Sequence, residues 1–250
     1  MSFMLSLSLF RSDAAQGLSE AGRAWRNEDT KRAVQCLTQA ATIMMEDNRF
    51  SPSAKLWVEV AEIYTADMDR SNACKAYIQA AECYKASNSK VTAQSMSIKA
   101  ADLMALDARY NDAIKIYEEV AEGQADSSSV AFSVCGYYYK ALLCKMVAES
   151  NTGCDELMDS EEKLARYCDI QPRMQDSKEA NLVRSLIAAY AKSDADAFTQ
   201  ALSKYDSIYR LDQWSSELLY KVKKNLMGEG EAAKSVKPKE ATDALMEQFL

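Results

Sequence analysis

A repeat of about twenty residues constrains this chain more than any other feature. Five segments carry it: AVQCLTQAATIM from Ala33, AKLWVEVAEIY from Ala54, ACKAYIQAAECY from Ala73, AQSMSIKAADLM from Ala93 and AIKIYEEVAEGQ from Ala113. Each opens on Ala and has one or two further small residues about seven positions on. Their starts lie 21, 19, 20 and 20 residues apart, and a shorter relative, AAQGLSEAGRAW, begins at Ala14. Positions i, i+3/i+4 and i+7 share one face of an α-helix. Small residues on that face let neighbouring helices approach closely, while Leu37, Trp57, Tyr77, Met96 and Tyr117 fill the volume between them. The intervening stretches are polar or turn-prone: Asp47-Asn48-Arg49, Asp67-Met68-Asp69, Ser87-Asn88-Ser89 and Asp107-Ala108-Arg109. Ser51-Pro52 suits a helix start. Helices of about 14–16 residues joined by short turns, two per repeat of about 40, predict an all-α, tetratricopeptide-like α-solenoid of antiparallel helix pairs. The strict tetratricopeptide consensus is absent.

From residue 124 the register changes. Residues 124–130 are polar, Tyr137-Tyr138-Tyr139 opens another helix and Asn151-Thr152-Gly153 breaks it. Further helices are expected over roughly 157–168, 176–192, 194–205 and 212–226, one of them ended by the stretch before Pro172. This block reads as a C-terminal helical bundle capping the solenoid. The domain reading is an apolar segment at 1–12, a helical-hairpin solenoid at 13–123, a helical domain at 124–228 and a loose tail at 229–250 ending in a short helix.

The chemistry available is narrow. With no histidine there is neither Ser-His-Asp nor Cys-His catalysis, and the commonest metal ligand is missing. Seven cysteines include no C-x-x-C pair, and Cys74, Cys83, Cys135 and Cys144 read as small buried apolar residues inside helices. No phosphate-binding glycine loop and no nucleophile elbow is present. The pairs Glu118-Glu119 and Glu161-Glu162 and the set Asp155, Glu156 and Asp159 read as solvated helix faces. A net charge of −7 argues against nucleic-acid binding, and the tyrosine run reads as helix packing. No catalytic residue, metal or cofactor is expected. The run MSFMLSLSLF lacks the basic flank of a signal peptide and is shorter than the roughly 20 residues a bilayer requires. With the odd cysteine count, this predicts a cytosolic protein.

Four further stretches, AKLWVEVAEIY, YNDAIKIYEEVAE, YYYKALLCK and YDSIYRLDQW, stand in this order along the chain. Together with the repeat they make residues 14–230 resemble the soluble NSF attachment proteins of α/β type. The resemblance implies a non-enzymatic adaptor that lies along a SNARE four-helix complex, recruits an NSF-type AAA ATPase hexamer through its C-terminal domain, and works in vesicle fusion and intracellular protein transport. It implies a cytoplasmic protein, peripheral on membranes through SNAREs. Carried over by position, the SNARE-binding residues are Arg26, Arg49, Lys55 and Lys99; two further family lysines fall on Ser95 and Cys135. The family's glutamate cluster falls on residues 188–192, which here read AAYAK, leaving Asp194, Asp196 and the terminal Leu250 as ATPase-facing residues. The resemblance also implies an N-terminally shortened, divergent relative without the family's apolar membrane loop, for which Phe3, Leu5 and Phe10 are the replacement membrane contact. The alternative is a scaffold of the same fold that has lost ATPase coupling and binds SNAREs non-productively, or binds another helical partner.

Overall fold

The computed structural model describes the backbone of residues 2–124 and 131–232 and the side chains of residues 10–124 and 133–228. Among the described residues there are twelve helices and no strand, and the chain divides into two compact units, Met1–Ala108 and Arg109–Leu250. The architecture is the expected one: antiparallel helix pairs of a tetratricopeptide-like solenoid, followed along the chain by a helical bundle.

The first unit holds α1 (Ser2–Trp25), α2 (Thr30–Glu46), α3 (Phe50–Ala66), α4 (Arg70–Ala86) and α5 (Lys90–Leu106). Each helix packs on the next. Helices α2 to α5 have 17 residues each. They begin at strict 20-residue intervals, at Thr30, Phe50, Arg70 and Lys90. The fourth, eleventh and twelfth positions of each are small and buried: Ala33, Ala40 and Ala41; Ser53, Val60 and Ala61; Ala73, Ala80 and Ala81; Ala93, Ala100 and Ala101. The 21- and 19-residue spacings read from the sequence therefore come from starting the second segment one residue late. Its true first column position is Ser53, whose hydroxyl donates to the Ala41 carbonyl (2.7 Å) and so is satisfied in an apolar site. In α1 the corresponding close approach falls at Gly22, where a Cβ would sit 2.7 Å from Leu37 Cγ and 3.1 Å from the Ala33 carbonyl oxygen.

One turn geometry recurs between these helices. Asn48, Met68, Asn88 and Ala108 all have φ near +60°. In the first three turns the next amide bonds back to the carbonyl six residues earlier in the ring: Arg49 to Met44 (2.8 Å), Asp69 to Tyr64 (2.9 Å) and Ser89 to Tyr84 (2.9 Å). The left-handed residue satisfies the orphan carbonyls of one helix, and the following residue becomes the N-cap of the next. Asp29 and Asp69 complete that cap by accepting from the Arg32 and Asn72 amides (3.1 Å each). Asparagine tolerates the left-handed region better than methionine or alanine. Met68, 73% exposed, has no packing to lose.

The second unit holds α6 (Tyr110–Glu122), α7 (Ala131–Ser150), α8 (Met158–Ile170), the short α9 (Pro172–Gln175), α10 (Lys178–Ala191), α11 (Ala195–Tyr209) and α12 (Gln213–Ala232), the last broken at Gly228 (φ 70°). Helix α7 is its axis. Val134, Tyr138, Leu142, Leu143, Met146 and Val147 are all fully buried, because α6, α8, α9, α10 and α12 surround it. A helix covered on every side needs apolar residues all round rather than one stripe, so Cys135 and Cys144 are buried thiols as expected. Tyr138 stacks on Tyr167 of α8 at 4.3 Å between ring centroids.

One acidic residue departs from its expected role as a solvated charge. Glu118 of α6 accepts from Lys163 Nζ (2.7 Å) and the Tyr167 hydroxyl (2.6 Å), both on α8. Burial pushes its carboxyl up, but these two hydrogen bonds and the charges of Lys163 and Arg166 outweigh it, leaving the group below its ordinary value. The pair Lys163–Glu118 is only about one-fifth exposed on each side, which sets it apart from the surface ion pairs.

Two stability measurements follow. Met68→Gly is expected to raise the urea midpoint, adding about 0.5–1 kcal/mol by relieving the left-handed conformation. Glu118→Ala is expected to cost about 1–3 kcal/mol by orphaning Tyr167 and Lys163. Because the folded pKa lies below the unfolded one, the ionised carboxylate's contribution is complete above its unfolded pKa, near 4.3, and is lost as pH falls through the lowered folded value. The gap between wild type and variant in pH-dependent unfolding curves should narrow over that acid range.

Candidate partner-binding surface

All four cations carried over from the family fall in the first unit at exposed positions, but their surroundings differ. Arg26 follows the last residue of α1 and pairs with Glu62 of α3 at 3.6 Å. One turn earlier, Arg23 makes two hydrogen bonds to Glu59 (2.7 and 2.9 Å). These form a two-rung ladder between α1 and α3, with arginines three apart facing glutamates three apart. Both rungs are substantially solvent-exposed, so each contributes little to stability. Arg49 is the N-cap of α3 and donates from Nη1 to Ser12 Oγ of α1 (2.6 Å). Beside it, Arg11 pairs with Glu46 and with Asp47 (3.4 Å). Arg26 and Arg49 therefore already help hold α1 against α3 and the α2–α3 turn.

Lys55 is different. It is exposed at the sixth position of α3 and makes no ion pair among the described residues. Glu59 and Glu62 lie four and seven residues further on, on the same helical face. The two arginines of the ladder therefore neutralise the acids nearest Lys55. Lys99, at the tenth position of α5, is also exposed and rests 5.4 Å from the Tyr77 ring of α4. The geometry brings Lys55 and Arg26 onto one shared face of α3; Lys99 stands on a different helix and Arg49 on the turn.

A pattern not singled out from the sequence now becomes visible. The sixth position is Lys55 in α3, Lys75 in α4 and Lys115 in α6, all exposed. The thirteenth is Glu62, Glu82 and Glu122. Cations towards the N-terminus and acids towards the C-terminus oppose what the helix dipole favours, so helix stability does not account for the arrangement. The 20-residue spacing of these lysines is the signal that would have revealed it.

The residues assigned to the ATPase side lie in the second unit. Asp194 is the N-cap of α11 and its carboxylate accepts from the Ala197 amide (2.8 Å). Ser193 ahead of it has φ 52°, repeating the first unit's left-handed turn. Asp196 sits in the first turn, where its charge acts on Lys223 of α12, whose pKa burial lowers. The last turn of α10 presents Ala188, Ala191 and Lys192 to solvent, while Ala189 and Tyr190 are buried. Leu250 lies outside the described residues, as do the side chains of Phe3 and Leu5. Phe10 is 73% exposed on α1.

The stretch YDSIYRLDQW forms the α11–α12 connection. Asp206 accepts from the Leu211 amide (2.7 Å) and Asp212 from the Ser215 amide (3.0 Å), so its two aspartates hold the turn and cap α12. Tyr205, Leu211 and Trp214 are half-buried, as their spacing suggests, but Ile208 is 63% exposed. It falls in the last turn of α11, where no neighbouring helix covers that face.

Among the described residues no group of side chains could hold a metal ion, and no helix is long and apolar enough to cross a membrane.

Comparison with known proteins agrees with this architecture. The family described as soluble NSF attachment protein, SNAP, matches residues 9–227. The human alpha-soluble NSF attachment protein (Homo sapiens) is 33% identical over 222 residues, covering 88% of this chain and 73% of that protein. The bovine beta-soluble NSF attachment protein (Bos taurus) is 32% identical over 222 residues, covering 88% and 72%. The vesicular-fusion protein SEC17 of Komagataella phaffii is 26% identical over 219 residues, covering 86% and 72%.

The double role of Asp194 can be separated. Asp194→Ala is expected to lower stability by about 0.5–2 kcal/mol through loss of the cap, whereas Asp194→Ser keeps a capping oxygen and stays close to wild type while removing the charge. Chemical denaturation of both variants checks this.

Proposed function

The chain belongs to the soluble NSF attachment protein family, a family of non-enzymatic adaptors, and on that premise we propose that it links SNARE complexes to an NSF-type ATPase. The match over residues 9–227 carries this reading. The adaptor role lies in vesicle fusion and intracellular protein transport. Arg26, Arg49, Lys55 and Lys99 of the first unit meet carboxylates on the assembled SNARE four-helix complex. The second unit, through Asp194, Asp196 and the C-terminal residues ending at Leu250, faces the ATPase hexamer. Phe3, Leu5 and Phe10 at the start of α1 touch the membrane, and the protein works on the cytoplasmic side, held there through its SNAREs.

The mechanism is mechanical coupling rather than bond chemistry. Exposed cations give long-range attraction and orientation, each worth up to about 1 kcal/mol and weakened by salt. Affinity then comes from several such contacts acting together across a rigid helical frame. Lys55 is the best single probe, since its removal breaks no ion pair among the described residues.

Lys55→Glu is expected to weaken binding to the assembled SNARE complex roughly three- to tenfold at low ionic strength, or about 0.7–1.4 kcal/mol, with the difference shrinking as salt is added. Equal affinities at low salt would remove Lys55 from the interface. The last turn of α10, with no acid at its exposed positions, favours a second reading in which SNARE binding survives without ATPase coupling. Retention of the SNARE–adaptor complex on immobilised ATPase separates the two.

A further inference from the structure

The second unit contains a cavity of about 350 Å³ between α7 and the α11–α12 turn. Its walls include Tyr137, Tyr139, Tyr205 and Leu211, with Lys140, Arg210 and Asp212 among the lining residues. Tyr139 is 8% exposed, and its hydroxyl is buried with no hydrogen-bond partner. The nearby Ser215 hydroxyl acts on it electrostatically without reaching hydrogen-bond geometry. Burial holds the phenol strongly protonated, so it is a donor without an acceptor. Such a group carries a desolvation penalty that only an incoming acceptor removes. Tyr138 and Trp57 also hold unpartnered polar atoms, but neither lines this cavity.

The charges narrow the choice of acceptor. Lys140 lies 4.8 Å from the Trp214 ring and 5.8 Å from that of Tyr117, at the cavity's edge. Arg210 is exposed and adopts φ 57°, a conformation disfavoured for a side chain with a Cβ. Asp212 is committed to the Ser215 amide. Glu179, whose charge also reaches Tyr139 and Tyr205, is balanced by Lys178 at 3.8 Å. Two cations against one carboxylate leave about one uncompensated positive charge, in a chain whose net charge is −7. A monoanion matches that balance; a phosphate dianion would leave an excess beside Asp212. Three tyrosine rings and Leu211 supply apolar wall for the rest of the ligand, and the volume suits a small molecule. At Gly136 a side chain would meet nothing within 4 Å, so this wall is open.

We propose that this cavity binds a small organic carboxylate with an apolar or aromatic body, its oxygen accepting from the Tyr139 hydroxyl and its charge balanced by Lys140 and Arg210. Binding there fixes α7 against the α11–α12 turn and is separate from the cations of the first unit.

The test is calorimetric titration of the full chain with 3-phenylpropionate at low ionic strength, beside its neutral amide and against Tyr139→Phe and Arg210→Gly. Saturable binding of the carboxylate is expected, about tenfold or more tighter than the amide and weakened by about tenfold in each variant. Thermal melts should show Tyr139→Phe at least as stable as wild type, because it removes an unsatisfied buried donor. Absence of saturable binding up to about 10 mM, equal binding of acid and amide, or unchanged binding by a folded Tyr139→Phe variant would overturn the proposal.

Discussion

Close approach of helices across columns of small residues is the constraint on which the first unit rests. Wherever the fourth, eleventh and twelfth positions of a 17-residue helix are Ala or Ser, the neighbouring backbone can come near enough for larger residues such as Leu37 and Tyr77 to interlock. Such packing tolerates little slippage, since a one-residue shift would drive a large side chain into a column. The turns enforce the same register by a different route. A left-handed residue closes one helix and the next residue starts another, so each helix-plus-turn unit is 20 residues long. Side-chain packing and backbone hydrogen bonding thus demand the same period, an agreement of local and global preferences that favours one fold.

The second unit solves its packing problem by burying one helix completely. Surrounding α7 with five others removes its need for amphipathicity but leaves polar groups to be satisfied. Glu118, Lys163 and Tyr167 do so as a mutually bonded trio. The α11–α12 turn is held by carboxylate-to-amide bonds from Asp206 and Asp212. The family signature at residues 205–214 is therefore largely a turn-building device, and its recurrence reports on fold before it reports on partners.

Much of this was legible in the sequence, for identifiable reasons. Alanine columns, the polar triplets between helices and Pro172 each carry a local mechanism, so helix number and order followed. The register of α3 was misread because Ser53 stands where other repeats have Ala; a serine is buried there only because the Ala41 carbonyl, twelve residues earlier, accepts its proton. Glu118 was misread for a similar reason: its partners lie 45 and 49 residues away, beyond any local pattern. Ile208 kept core spacing on a face that no other helix covers. Among the site residues, chemical type and position named the cations. Only the structure distinguishes Lys55, without an ion pair among the described residues, from Arg26 and Arg49, which are already engaged by α3 and α1, and only it reveals Asp194 as a helix cap.

The account's central claim is that a chain without catalytic machinery couples an ATPase to its SNARE substrate. Disassembly of a preformed SNARE complex by the purified NSF-type hexamer with ATP, in the presence and absence of this protein, tests that most directly. The account predicts disassembly that requires the protein and ATP together. Intact SNARE complexes in the full mixture, with the protein folded and bound to them, would contradict it.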